Sequence, residues 1–283
     1  MKLNLLKFGA VALLLSNVFV SCETDEELIL EENLSVEDVL VIGEIDAVID
    51  DIGVDIDQAY ILEENIGSLT SKGSSGKNGS GFFPECLTKT VVIEENMKIV
   101  TLDFGEGCEV RGRFISGILI MTYDKDSDLH TKTIIVTYDN YRVNRKLIEG
   151  SHSIVRTREN DNPKSIITFD VMVTWDNGDT ATRVGEKVRE MIEGSDTRTW
   201  SDNVYLITGH WTTTRKNGAV VYAKIVTPLR RELVCRFLVS GTIDLNKNDK
   251  HGILDFGEGE CDNMATLTLD DGTVIEITLP KRH

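Results

Sequence analysis

Several patterns that usually reveal an activity are missing from this sequence. The histidines and cysteines form no His-x-x-x-His or Cys-x-x-Cys pair of the kind that binds a metal ion. There is no Gly-x-Ser-x-Gly nucleophile motif and no phosphate loop. A triad assembled by the fold would leave no such trace, since its members need not be close in sequence. The sequence therefore assigns no catalytic residue, no metal ligand and no cofactor. The histidines are scattered: His130, His152, His210, His251 and His283.

Positive charge is absent from one long segment. Residues 23–66 hold 16 acidic residues and no lysine or arginine. The formal charge is −17 for the whole chain and −19 without residues 1–21, which leaves only about −3 for residues 67–283. We interpret residues 22–66 as an acidic, solvated tether. Such charge opposes binding to nucleic acid and to anionic lipid headgroups.

The N-terminal sequence "MKLNLLKFGAVALLLSNVFVSC" has the organisation of a lipoprotein signal peptide. Lys2 and Lys7 form a basic region, and residues 8–15 form an apolar region too short to span a bilayer. The ending "FVSC" is similar to the lipobox of bacterial lipoproteins, in which the signal is cut before a cysteine that carries the lipids. The resemblance implies that residues 1–21 are removed and that Cys22 is the lipid attachment site. The alternative is an ordinary signal peptide with a chance cysteine.

A helical pattern occupies the second half of the acidic segment. From Ser35, apolar residues recur every three to four positions with carboxylates between them, which predicts a helix capped by Ser35 and ended by Gly53. A second helical pattern, "DIDQAYILEEN", follows. The two patterns predict either a helical hairpin resting on the main domain or a helix that docks a partner. Residues 67–83 have the composition of a flexible Gly/Ser linker.

Residues 84–283 are typical of an antiparallel all-β domain. Nine or so β-branched stretches are separated by Asn-Gly and Asp-Gly turn signals at 176–179, 216–218 and 270–272. The stretch at 182–194 fits a helix or a strand. We expect a mainly β fold, an antiparallel hairpin-rich sheet arranged as a sandwich, a barrel or an open sheet, with a short acidic N-terminal helical segment.

A repeated string indicates how the four remaining cysteines pair. "DFGEG" occurs twice, each copy ends near a cysteine, and each has another cysteine upstream. Folding each unit about its midpoint places a polar stretch at the tip of a β-hairpin and the two cysteines at its open end. We predict the disulfides Cys86–Cys108 and Cys235–Cys261, which form in an oxidising, exported setting.

The second copy of the string has one extra residue, Glu260, before its cysteine. The insertion changes the alternation of side chains between the phenylalanine and the cysteine. A strand tolerates this change only with a β-bulge, and Gly257 or Gly259 is the natural place for it. The first copy should lack the bulge.

The carboxylates of the repeated string are candidates for acid–base chemistry or for calcium binding. The stretch "DLNKNDKHGILD" partly matches the spacing of an EF-hand loop, but Asp249 stands where glycine is needed and Asp255 replaces the usual glutamate. A hairpin turn explains the same residues. The candidates in the two strings are Asp103, Glu106, Asp255, Glu258 and Glu260.

Aromatic and basic residues supply two further candidate surfaces. The aromatic residues can line a glycan or peptide site, although aromatics in strands usually belong to the core. The basic residues can form a positive face or an ordinary solvated hairpin. The aromatic set is Trp175, Trp200, Trp211, Tyr205 and Tyr222, and the basic set is Arg142, Arg145, Lys146, Arg156 and Arg158.

Several motifs together resemble a group of uncharacterised lipoproteins of Flavobacteria and other Bacteroidetes. They are the lipobox, the acidic stretch "ETDEELILEE" behind it, "PECLTKTV", "TLDFGEGC", "SDNVYLITG", "VTPLRRELVC", "VSGTI" and "LDFGEGECDN". The resemblance implies an exported, lipid-anchored, β-rich protein of the cell envelope, at the outer membrane and facing outwards. It carries over no activity.

Three functions therefore stand open. The first is a binding or structural module for an unknown envelope or extracellular ligand, held to the membrane through its N-terminal lipid, with no nucleic-acid partner. The second is a secreted-type hydrolase acting on polysaccharide or peptide. The third is a calcium-dependent adhesin.

Overall fold

The computed structural model describes residues 34–69, 83–125, 131–157, 162–197 and 199–279. These residues form one α-helix, fourteen strands and one short 3₁₀ helix, Trp200–Asp202. The helix and strands are α1 Val36–Leu69, β1 Thr88–Glu94, β2 Met97–Asp103, β3 Cys108–Val110, β4 Arg113–Asp124, β5 Thr131–Val143, β6 Lys146–Thr157, β7 Lys164–Thr174, β8 Thr180–Glu193, β9 Val204–Arg215, β10 Val220–Glu232, β11 Leu238–Lys247, β12 Lys250–Glu258, β13 Met264–Leu269 and β14 Val274–Thr278.

All fourteen strands belong to one antiparallel sheet. Each strand pairs with its neighbours in the sequence, except that β2 pairs with β4 while the short β3 pairs beside it on β4. The sheet is not closed, because β1 and β14 are its two edges. The expectation of a mainly β, antiparallel, hairpin-rich fold is confirmed, and among the arrangements left open the structure has the open sheet.

The turns follow the glycine signals in the sequence. Gly178, Gly218 and Gly272 lie in the β7–β8, β9–β10 and β13–β14 connections, and their φ angles lie between 82° and 84°. Positive φ is the conformation that glycine adopts without steric cost. The stretch at 182–194, which fitted either a helix or a strand, lies almost entirely within β8.

The helix begins where the sequence predicts. The backbone N–H of Asp38 donates to the Ser35 hydroxyl oxygen at 3.2 Å, and the N–H of Ser35 donates to the Asp38 carboxylate at 3.1 Å. This reciprocal arrangement is a capping box with aspartate in place of the usual glutamate.

The prediction that Gly53 ends the helix is wrong, because α1 runs on without a break into the second helical pattern. The glycine instead lies where a strand side chain approaches the helix backbone closely. A Cβ atom on Gly53 would lie 2.9 Å from a guanidinium nitrogen of Arg189, and that guanidinium donates to the Gly53 carbonyl at 3.0 Å. A residue that resembles a helix end in the sequence is a point of close approach in the fold.

The middle of the helix is buried on every side. Residues 45 to 59, apart from Ala47, have buried side chains, including Ile45, Ile52 and Ile56 with no exposed surface. Side chains from strands as far apart as β1 and β11 reach this single helix. The sheet must therefore curve around α1, and the helix occupies its concave face.

The charges of the helix explain how so acidic a segment is buried. Between residues 36 and 64 the helix has ten carboxylates and no basic residue, and each carboxylate has a lysine or arginine nitrogen of a strand within 4 Å. We call these contacts the helix ion pairs. From Leu34 onwards the segment is thus an internal element, and its interpretation as part of a solvated tether is wrong. The cations are Lys89, Lys98, Arg113, Lys146, Arg156, Arg183, Lys187, Arg189, Arg215, Arg231 and Lys247.

Asp55 and Arg113 form a helix ion pair with bidentate geometry. Both residues are almost completely buried, and the guanidinium donates two hydrogen bonds, of 2.8 and 2.9 Å, to the two carboxylate oxygens. Burial alone would lower the pKa of Arg113, but the carboxylates of Asp55 and Asp51 outweigh burial and raise that pKa. The arginine therefore stays charged, and removing either partner would leave a buried, uncompensated charge.

Both predicted disulfides are present, Cys86–Cys108 and Cys235–Cys261. Each cross-links the flanks of one hairpin, β1–β2 in the first unit and β11–β12 in the second. In the first unit Cys108 lies beyond the loop that follows β2, at the start of β3. By closing a loop of this length, each disulfide would stabilise the fold by roughly 3–4 kcal/mol in the chain-entropy model.

The repeated string has the same local role in both copies. The aspartate that opens it accepts a hydrogen bond from the glycine two residues later, from Gly105 to Asp103 at 2.8 Å and from Gly257 to Asp255 at 2.9 Å. Both glycines have positive φ, at 56° and 85°, and the phenylalanine between aspartate and glycine is buried in both copies. The string is thus an Asx turn that reverses or bends a strand.

The predicted bulge is present in the second copy. The β11–β12 register advances by two residues on β11 but by three on β12 between Ser240↔Glu258 and Thr242↔Asp255. The extra residue falls next to Gly257, one of the two positions expected. In the first copy the string leaves the sheet between β2 and β3. Five steps along the chain, from Asp103 to Cys108, oppose three on β4, from Ile118 to Ile115, so the expectation that this copy lacks a bulge is wrong.

Candidate ligand-binding cleft

One opening lies where the start of α1 meets two hairpin turns. It has a volume of about 590 Å³ and lies beside the β7–β8 and β9–β10 turns. The helix supplies Leu40 and Val41 to its floor, and Trp175 stands at its wall. The remaining lining residues are mostly polar: Glu37, Glu44, Asn177, Asp179, Thr180, Ala181, Arg215, Lys216 and Asn217.

Trp175 is held in a fixed orientation. It follows the last residue of β7, and its backbone N–H donates to the Asp179 carbonyl at 3.0 Å, which closes the turn. Its indole N–H donates to the Glu44 carboxylate on the helix at 2.8 Å. The ring is only partly buried. A rigid, partly exposed indole of this kind offers an apolar face to a ligand at little entropic cost.

The two turns beside Trp175 are tied together. The N–H of Lys216 donates to the Thr180 carbonyl at 2.9 Å, and the Lys216 ammonium donates to the Gly178 carbonyl at 3.0 Å. Asn177 donates to the Asp179 carboxylate at 2.7 Å. Exposed amide and carboxylate groups thus surround the tryptophan on two turns that hydrogen bonds hold together.

Several charged groups of the cleft already form ion pairs. Arg215 forms ion pairs with Glu37 and Asp38, and Lys146 lies 3.6 Å from Glu44. Three carboxylates line the cleft, Glu37, Glu44 and Asp179, but none of the residues that line it is a histidine. The arrangement suits a polar, uncharged ligand that stacks on Trp175 and hydrogen-bonds to the rim.

The candidate aromatic residues do not form one site. Trp175 lines the cleft, whereas Trp211 and Tyr205 are core residues with about 1% and 2% of their surface exposed. Tyr222 is exposed on the other face of the sheet, and Trp200 lies under the guanidinium of Arg111. A shared glycan site made of all five is therefore contradicted.

The basic residues do not form a positive face either. Arg156 and Lys146 point inwards to helix carboxylates, Asp57 and Glu44, and belong to the helix ion pairs. Arg142 is exposed, as is Arg145, which pairs with Asp176 at 2.9 Å. Arg158 lies outside the described residues.

The stretch once compared with an EF-hand loop is a plain β-hairpin. Asp244 and Asn246 lie on β11, and the turn is formed by Asn248 and Asp249, both with positive φ. Asp244 accepts a hydrogen bond from His251, and Asn246 contacts the same imidazole. Within the described ranges, no group of three or more candidate metal ligands comes together.

One histidine has an environment unlike the others. His152 is buried on the inner face of the sheet, where its Nδ1 lies 2.6 Å from the Tyr138 hydroxyl. Its Nε2 has no hydrogen-bond partner among the described residues. Burial, aided by the nearby charge of Lys187, lowers the pKa of His152 to about 4. The exposed His251 differs, since its contact with Asp244 raises its pKa.

Sequence reasoning missed most of the cleft. The helix residues at its floor lie in the segment that the sequence predicts to be a tether, and Asn177 and Asn217 match turn signals only. The available signal was Trp175, an aromatic residue directly before an Asp-Asn-Gly turn, where an exposed ring is unusual. His130 and His283, like Cys22, lie outside the described residues.

The two disulfides indicate an extracellular or periplasmic setting, since such bonds persist in oxidising compartments. No helix among the described residues is long and apolar enough to cross a membrane. Comparisons of this chain with protein-family models, curated proteins and solved structures found no match.

Proposed function

We propose that this chain is an exported, lipid-anchored protein of the cell envelope whose β domain is a binding module. The observation that carries the proposal is the cleft around Trp175, because it combines a braced, partly exposed indole with a rim of amides and carboxylates. Oligosaccharides present this combination of flat apolar ring faces and hydroxyl groups. We therefore assign an extracellular glycan as the ligand class of the cleft.

The anchor in this proposal is Cys22, on the strength of the lipobox resemblance. The first described residue, Leu34, follows Cys22 by twelve positions. A Cys22→Ser variant should lose incorporation of a labelled fatty acid and move from the membrane fraction to the soluble fraction. Wild-type-like labelling of that variant would refute the anchor without affecting the cleft.

Binding is tested by screening the full-length protein, kept in detergent, against an array of bacterial and plant glycans. A Trp175→Ala variant should weaken any binding by about tenfold or more, as expected when a stacked aromatic is lost from a binding site. The matched control is Tyr222→Ala, which removes an exposed aromatic ring outside the cleft. Equal loss in both variants, or no glycan bound, would overturn this function.

The cleft carboxylates favour one alternative, a hydrolase acting on the same ligand class. Glu37, Glu44 and Asp179 all line the cleft. The same glycans are therefore incubated with the protein, and new reducing ends are measured. Product formation that disappears in Glu44→Gln, while Tyr222→Ala retains it, would replace the binding module by the hydrolase.

A further inference from the structure

A second, smaller cavity lies apart from the cleft, beside the β3–β4 turn and the segment that joins β10 to β11. Its volume is about 40 Å³, enough for a group of a few heavy atoms. Four arginines line it together with Asp51 of the helix: Arg111, Arg113, Arg231 and Arg236.

Two of these arginines form the inner wall and are already fixed in place. Arg113 is held by its two hydrogen bonds to Asp55. Arg231 donates to the carbonyl oxygens of Glu232, at 2.8 Å, and of Cys235, and its guanidinium lies 3.8 Å from Asp51. The inner wall is therefore rigid and nearly fully buried.

The other two arginines form the outer wall. Arg111 lies in the β3–β4 turn, and its guanidinium carbon stands 4.3 Å from the centre of the Trp200 ring, which orients it. Arg236 is exposed and follows the disulfide-bonded Cys235. Burial chiefly, and the charge of Arg113 to a lesser degree, lower the pKa of Arg111, while Asp55 and Asp51 act in the opposite direction.

Guanidinium groups predominate around this cavity. Four of them line it together with the single carboxylate of Asp51, and Arg113 is also bound to Asp55. They are held on a partly enclosed, rigid frame. Guanidinium groups bind carboxylate, sulfate and phosphate oxygens in forked geometry, and such charge-assisted bonds are strong where water is partly excluded.

We propose that the cavity between Arg111, Arg113, Arg231 and Arg236 is a binding site for the oxyanion group of a ligand, a carboxylate, sulfate or phosphate. The site is separate from the cleft around Trp175, with which it shares no lining residue. An acidic ligand would therefore be bound here while an uncharged one occupies the cleft.

The test is calorimetric titration of the full-length protein in detergent with sodium acetate, sulfate and inorganic phosphate, with chloride at matched ionic strength as the blank. At least one oxyanion should give saturable heat beyond chloride. A preference for acetate assigns a planar carboxylate, and a preference for sulfate or phosphate assigns a tetrahedral group. The fluorescence of Trp200, which lies under Arg111, should change in parallel and lose that change in Trp200→Phe.

Variants separate a built site from general surface attraction. Arg236→Gln and Arg111→Gln should each raise the dissociation constant by about tenfold, as expected for the loss of one charge-assisted hydrogen bond. Arg145→Gln is the matched control, because Arg145 is exposed and pairs only with Asp176 among the contacts described. Since Arg236 is exposed, its variant should fold, which circular dichroism checks.

Three results would overturn the proposal. The first is heat no larger than that of chloride for all three oxyanions. The second is equal weakening by Arg145→Gln and Arg236→Gln. The third is loss of the response in Trp175→Ala, which would move the anion to the cleft.

Discussion

The two faces of strand β8 differ in a way that reverses the usual distribution of side chains. On its inner face Arg183, Lys187 and Arg189 are buried, with at most 4% of their surface exposed. On its outer face Val184 has 51% of its surface exposed. Half-buried antiparallel strands normally place apolar residues inside and charges outside. The reversal shows that the position of a charge in this fold is decided by its partner on the helix.

Aliphatic packing and ion pairs hold the interior together in different ways. Aliphatic packing around Ile45, Ile52 and Ile56 is non-directional, whereas each ion pair fixes one point on the helix against one strand. Buried ion pairs contribute little net stability, because desolvation offsets much of the attraction. They do penalise every wrong register of the helix, since a slip would leave several buried charges uncompensated.

The largest expected effect comes from removing an inner charge of β8. Lys187 lies 3.0 Å from both Asp46 and Asp50, so Lys187→Met leaves buried carboxylates short of a cation. We expect a loss of about 3–5 kcal/mol in the free energy of unfolding. The neighbouring outer-face variant Glu186→Gln should change it by less than about 0.5 kcal/mol. Urea denaturation of both variants measures the difference.

A double variant sharpens the same comparison. If the loss in Lys187→Met is due to uncompensated charge, Lys187→Met combined with Asp50→Leu should recover part of it. If the double variant loses more unfolding free energy than the two single variants lose together, uncompensated charge is not the cause.

The next effect compares an inner with an outer histidine. The pKa of His152 is lowered to about 4, so the folded state keeps it neutral while the unfolded chain binds a proton below its ordinary pKa of about 6.5. The stabilisation is complete above pH 6.5 and is lost as the pH falls towards 4, by about 3 kcal/mol.

Unfolding free energies measured between pH 7 and pH 4 test this. His152→Gln should flatten the pH dependence in that range, whereas His210→Gln, which alters an exposed histidine, should leave it as in the wild type. An unchanged slope in His152→Gln would show that other groups cause the acid sensitivity.

The smallest effect is expected on the outer face of β8. Val184→Thr replaces an exposed apolar side chain with another β-branched residue, and stability should change by no more than about 0.5 kcal/mol. A loss above 1 kcal/mol in thermal or urea unfolding would mean that the outer face is covered and would weaken the comparison.

Much of the sheet could be predicted because its signals are local. The Asn-Gly and Asp-Gly turns, the disulfide pairs and the bulge at Gly257 follow from spacing and side-chain parity within some 30 residues. The stretch of β8 stayed ambiguous for a physical reason. Three of its five buried positions are basic, so its inner face lacks the run of apolar residues that usually marks a strand.

The burial of the helix could not be predicted, because its partners are distant in sequence. The residues that neighbour the helix carboxylates in the sequence include no lysine or arginine. The sequence therefore indicates that these carboxylates are solvated. The compensating bases come 26 to 209 residues later, from Lys89 to Lys247. The cleft was missed for the same reason, since α1 forms its floor.

The long-range ion pair of the capping residue Asp38 constrains how the chain folds during synthesis. Its carboxylate lies 2.7 Å from Lys247, 209 residues further along the chain. The helix is made first and the last of its counter-charges nearly at the end, so the interior cannot be completed until almost the whole polypeptide has emerged. So many contacts between distant parts of the chain raise the entropy of closing the fold and slow its formation. The packing of the helix against the sheet should therefore be complete only after β11 has been synthesised.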